Sequence, residues 1–238
     1  MKSSQSLVAL LLMLPLFLVS CAVSKSSDGF GLTPSIYYKP TIVQSNNKCS
    51  LTHMRDLITP QGDTLTSMCE SDYKQCLMQG SCFVQKDGTM TSYNYHSTIE
   101  GIPRFVEVDL TTCPFGYGAY GDCLDPYFSV AADLSYHKVG DVIFIPRLVD
   151  AILPNGEIHD GFVIVRDSGG AITGRGRFDF FTGFYNHLAK ENTLATLGFG
   201  DTKNRFDYRL ATDEEAQAAR DRRNFPGLKP SVVAEGIR

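Results

Sequence analysis

The sequence predicts a mainly β protein built around a closed barrel, with short helices and loop additions braced by disulfides. Three observations predict it. Short apolar runs recur between Ser81 and about Arg166, among them Arg104–Asp109, Phe128–Ala132, Asp141–Ile145 and Gly161–Val165. Turn signals such as Asp87-Gly88, Pro154-Asn155-Gly156 and Asp160-Gly161 separate them, which suits a barrel better than a sheet with crossover helices. Finally, six cysteines (Cys49, Cys69, Cys76, Cys82, Cys113 and Cys123) lie beyond the N-terminal segment. An even number in an exported chain reads as a disulfide framework, with the pairing left open.

From the N-terminus, residues 1–20 read as a signal peptide. Lys2 gives the positive start, and Leu7–Val19 is an apolar run too short to span a bilayer comfortably. Leu18-Val19-Ser20-Cys21 resembles a lipobox, which makes Cys21 the lipidation site. Ala22 then implies passage to the outer membrane, facing the periplasm; the plain alternative is a secretory signal with an incidental cysteine. Residues 21–60 read as a tether, because 22–45 are rich in Ser, Gly, Pro and Asn. A short helix is expected over 66–79, with Cys69 and Cys76 on one face. The barrel is assigned to 61–190, with a helix over Phe181–Glu191. Residues 191–238 form a C-terminal extension, whose Asp213–Arg223 run has acids first and bases last, as a surface helix favours.

Composition narrows the partners. The net charge of -4 argues against nucleic acid. Trp is absent while Phe (15) and Tyr (11) are plentiful, so any sugar stacking must use those rings. The five histidines (53, 96, 137, 159, 187) have no metal-ligand spacing, and no C-x-x-C occurs; neither metal nor organic cofactor is expected.

The chemistry concentrates in Asp167-Ser-Gly-Gly-Ala-Ile-Thr-Gly-Arg-Gly-Arg-Phe-Asp179-Phe-Phe-Thr-Gly183. Two carboxylates bracket a glycine-rich loop, and aromatic residues flank Asp179. A desolvated carboxyl holds its proton at neutral pH, as a general acid in glycoside cleavage must. Considered singly, each aspartate also suits turn capping, and Asp160 in His159-Asp160-Gly161 suits it best. Gly116-Tyr-Gly118-Ala-Tyr-Gly121 matches the dinucleotide fingerprint, but Cys113-Pro114 stands where the strand should enter, and Cys123 and Pro126 precede any helix. Its tyrosines, Tyr117 and Tyr120, are instead candidates to line a groove.

The Asp167–Gly183 stretch resembles the signature of the three-aspartate (3D) domain family, shared by the catalytic domain of membrane-bound lytic transglycosylases A. Ser129-Val-Ala-Ala-Asp133 through Gly140-Asp-Val-Ile-Phe-Ile-Pro146 is similar to that family's upstream block, and Leu124-Asp-Pro126 and Gln79-Gly80-Ser81 extend the likeness. The chain departs from the family pattern at Leu134 (for Pro), His137-Lys138 (for Ile-Pro) and Thr173 (for Lys), and by one extra residue before Asp179. The resemblance implies a six-stranded double-psi β-barrel. It makes Asp179 the catalytic acid/base, with Asp167 and Asp133 as the companion aspartates, and lets the backbones of Gly169, Gly170 and Gly174 approach a sugar. It also implies peptidoglycan glycan strands as partner and cleavage of the MurNAc–GlcNAc β-1,4 bond with closure of a 1,6-anhydro ring. A glycoside hydrolase and a non-catalytic peptidoglycan-binding lipoprotein stay open beside it. Oligomeric state is not legible.

Overall fold

The computed structural model describes residues 31–44 and 49–229. The signal peptide 1–20 and Cys21 lie outside the described residues. In chain order the strands are β1 (Thr33–Tyr37), β2 (Thr41–Val43), β3 (Met54–Ile58), β4 (Thr64–Cys69), β5 (Ser81–Lys86), β6 (Thr89–Ile99), β7 (Ile102–Val108), β8 (Ser129–Ala132), β9 (Val142–Phe144), β10 (Phe162–Asp167), β11 (Arg177–Phe181) and β12 (Arg209–Leu210). The helices are α1 (Glu70–Gln79), α2 (Thr193–Thr196) and α3 (Asp213–Arg223).

A mixed six-stranded sheet in the order β1-β11-β8-β10-β9-β12 forms a curled half-barrel. The side-chain period of two divides its faces. Val130 and Ala132 of β8, Val163 and Val165 of β10, and Phe178 and Phe180 of β11 all enter the main core. The residues between them, Ala131 and Asp179, therefore point the other way, toward a second, four-stranded sheet ordered β2-β5-β6-β7. That sheet has its own core of Ile42, Val84, Tyr93 and Phe105, joined by Leu57 and Met68 of the β3–β4 hairpin and by Cys76 of α1.

Several expectations are corrected. Residues 21–60 are not a tether where described: β1 joins the main sheet beside β11, and β2 joins the second beside β5. Five and three residues are too few to register as strands by pattern alone. The 61–190 span is not one barrel, since the Arg104–Asp109 run is β7 of the second sheet. The 66–79 helix starts only at Glu70, with Cys69 as its extended cap, because Thr64–Cys69 pairs with β3. The expected helix at Phe181–Glu191 is a series of turns. The C-terminal extension is integral: β12 pairs with β9, and α3 buries Ala216 and Ala219 against Val142 and Ile164. α3 covers the Asp213–Arg223 run that the charge pattern predicted as helix, and a capping box of Thr212 and Glu215 starts it.

Disulfides pair Cys49–Cys69, Cys76–Cys82 and Cys113–Cys123. The last two close loops that reappear in the site.

Candidate active site

Four residues form a row across the outward face of the main sheet. Ser35 of β1 is in register with Asp179 of β11, which is in register with Ala131 of β8, and Ala131 is also the register partner of Asp167 of β10. Directly paired residues project to one face, so both carboxyls rise on either side of the small Ala131. Two strand spacings separate their backbones, about 10 Å. A bulge at Arg166 makes this possible: regular pairing would set Arg166 opposite Ala131, and the extra residue brings Asp167 there instead.

Three of the four, Asp179, Ala131 and Asp167, form the floor of a cleft of about 890 Å³ between the two sheets. Asp167, Asp179 and Ala131 line one side with Ser168, Gly169 and Gly170. Asn94, Tyr95 and His96 of β6 line the other, with Gln79, Gly80 and Ser81 from the Cys76–Cys82 loop. Tyr117, Gly118, Ala119 and Gly121, inside the Cys113–Cys123 loop, close it beside Asp167.

The two carboxyls are held differently. Asp167 accepts hydrogen bonds from Tyr37 Oη (3.0 Å), from the Ala119 amide (2.8 Å) and from the Ser168 amide (2.8 Å). Asp179 accepts one from Ser35 Oγ, which itself accepts from the Arg177 guanidinium at 2.7 Å. Burial raises both above the ordinary aspartate value; the three donors pull Asp167 back, and the Ser35 hydroxyl and the Arg177 charge pull Asp179 back. The charge of Asp179 also pushes Asp167 up, as the smallest of its causes. Three donors favour the ionised form of Asp167 more than one donor favours that of Asp179. Burial likewise raises the Tyr37 phenol, which stays a donor.

The aromatic neighbours of Asp179 are not its desolvating wall, since Phe178 and Phe180 point into the core on the opposite face. Its position between Ser35 and Ala131 does that work. Asp133 lies outside the cleft lining: it accepts from the Gly174 amide (2.7 Å) and the Ser135 amide (2.9 Å), and these bonds hold its carboxyl below the usual range. Asp133 and Gly174 thus clasp the far end of the glycine loop, while Gly169 and Gly170 face the cleft. Tyr117 lines it, and Tyr120 stands 66% exposed outside its lining. Asp160 accepts from the Phe162 amide and pairs with Arg222, a turn residue as read.

Sequence reasoning missed Ser35 and Tyr37, which lie in the supposed tether, and the β6 wall. The alternation of Thr33, Ser35 and Tyr37 was the available signal. The glycines of the false nucleotide motif serve close approach. A Cβ on Gly118 would stand 1.9 Å from the Arg166 carbonyl oxygen, and one on Gly116 (φ +90°) would stand 2.2 Å from Asn94 Oδ1.

Residues 128–192 match the family model of the 3D domain. The matched segment carries β8 through β11 with Asp133, Asp167 and Asp179. Its fold is similar to that of Escherichia coli MltA in a crystal structure with bound chitohexaose, at 16% identity over 78% of this chain and 74% of that one, with a TM-score of 0.50. A membrane-bound lytic murein transglycosylase from Agrobacterium tumefaciens gives 15% identity, 80% and 76% coverage and a TM-score of 0.49. MltA from Neisseria gonorrhoeae gives 13%, 68% and 69%, and 0.43. No curated protein matches by sequence.

Proposed function

We propose that the protein is a peptidoglycan lytic transglycosylase in which Asp179 is the single acid/base. The observation that carries this reading is the unequal pair on the cleft floor: a half-buried Asp179 with one hydrogen-bond donor beside an Asp167 with three. The 3D-domain match, and a fold like that of an MltA crystallised with chitohexaose, support a β-1,4-linked amino-sugar chain as the occupant. In this reading the main sheet closes as a double-psi barrel, and a lipid on Cys21 holds the protein in the envelope, facing the periplasm.

Asp179 gives its proton to the glycosidic oxygen as the bond from C1 of the muramic residue breaks. The carboxylate so formed takes the proton of the C6 hydroxyl as O6 bonds to C1. The 1,6-anhydro ring closes, the acid is restored, and no water is consumed. Because Ser35 donates to Oδ1, the proton sits on Oδ2, the oxygen left for substrate. Ionised Asp167, on the same face, stabilises positive charge developing at C1. Asp133 holds the glycine loop and takes no part in the proton transfers.

The spacing across Ala131 also suits an inverting hydrolase with Asp167 activating water, and products separate the two. Purified protein incubated with isolated sacculi should release anhydro-muropeptides detectable by mass spectrometry. Reducing-end products would make it a hydrolase, and binding without release would make it a scaffold. Asp179→Asn should bind sacculi and lose release by at least about 10²-fold.

A further inference from the structure

Lys39 follows β1 and is fully buried in the seam between the two sheets. Its ammonium donates to Ser92 Oγ at 2.7 Å, to Asn94 Oδ1 at 3.3 Å and to the Phe115 carbonyl at 3.4 Å, and lies 4.6 Å from the centre of the Phe83 ring. Every one of these groups is uncharged. A buried ammonium without a carboxylate is costly, and burial alone pushes it down to about 7. A Met in the same space would pack without that cost, so packing does not explain the residue.

The contacts of Lys39 lead to the site in short steps. The Asn94 amide that it engages donates to the Tyr117 carbonyl at 2.7 Å. Gly118, next along, packs its Cα against the Arg166 carbonyl with no room for a Cβ. Ala119 then donates its amide to Asp167. Lys39 also holds the Phe115 carbonyl on the entering side of the same loop, while buried Arg166 donates to the Cys123 carbonyl at 2.9 Å on the leaving side. We propose that Lys39 is a positioning residue: through Asn94 it fixes the Gly116–Gly121 loop so that the Ala119 amide stays on Asp167 and keeps that aspartate ionised beside a protonated Asp179. The proposal rests on the acid/base reading above.

The sign of the expected effect follows from the bond. The Ala119 amide lowers the pKa of Asp167, so releasing the loop raises it. Tyr37 from β1, the Ser168 amide and Asp179 from β11 also face Asp167, and none of them contacts Lys39 through the bonds just named. Lys39→Met should therefore move the acid limb of the pH–rate profile upward and lower kcat at least tenfold while KM changes less than threefold. A loss of stability alone would lower the melting temperature and leave the profile of the folded enzyme in place.

The readout independent of activity is the titration of the Asp167 side-chain carboxyl by carbon-13 NMR in wild type and Lys39→Met. An upward shift supports the proposal even if the protein releases no anhydro product, and an unmoved titration overturns it even if the enzyme is active. Should Lys39→Met fail to fold, Asn94→Ala keeps the ammonium and cuts the link to Tyr117. The same upward shift is expected there, and its absence overturns the proposal.

Discussion

Ser35 donates its hydroxyl to one oxygen of Asp179, and the raised pKa of that carboxyl has two measurable consequences. The serine hydroxyl lowers the pKa of Asp179, so Ser35→Ala should raise it and move the alkaline limb of the pH–rate profile to higher pH. A limb that stays or moves down would refute the hydrogen bond's role. Asp179→Asn should gain stability as it loses activity. Because folding raises this carboxyl above the ordinary 3.8, its protonated form contributes stability that is fully present below the unfolded pKa and is lost as pH rises through the folded value. Asn does not titrate. The variant should melt above wild type at neutral pH, and the difference should close below about pH 4.

At the scale of elements, the bulge in β10 and the glycine-tight loop beside it do one job together. Gly118→Ala forces a Cβ onto the Arg166 carbonyl, and backbone meeting backbone has little freedom to yield. The expected cost is about 1–3 kcal/mol in denaturant unfolding. Because Ala119 is the next residue, activity should fall by about 10²-fold from misplacement alone. Unaltered turnover would show that the loop does not position Asp167. These elements were unequally legible. Asp167 and Asp179 stood out because a glycine loop between apolar runs is a local pattern, and β8, β9 and β10 fell where short apolar runs between turn signals predicted them. Ser35, Tyr37 and Lys39 were hidden because their strand is short and gains its identity from β11, far away in sequence. Asp133 looked equivalent to the other aspartates in sequence, and only the fold shows it turned toward the Gly174 amide. The nucleotide-like glycines were rightly rejected on their flanks, but their use against Arg166 and Asn94 depends on contacts that spacing does not encode.

At the scale of the molecule, the C-terminal helix braces the sheet that carries the two carboxyls, from outside the 3D-domain match. Arg223 at the end of α3 makes a bidentate pair with fully buried Asp125 (2.7 and 2.8 Å), bonds Glu157 at 2.7 Å and lies 3.5 Å over the Phe128 ring. Asp125 in turn receives the Phe128 and Ser129 amides on its carbonyl, at the entry to β8, and β8 carries Ala131 between the two catalytic candidates. Arg223→Ala would leave the Asp125 charge buried without a partner, at a cost of about 3–5 kcal/mol. The double variant Asp125→Asn/Arg223→Met removes both charges together and should recover most of that loss. Urea unfolding of the two single variants and the double closes the cycle. A double variant as unstable as Arg223→Ala would mean that the guanidinium's packing on Phe128, rather than the charge of Asp125, holds the helix to the sheet.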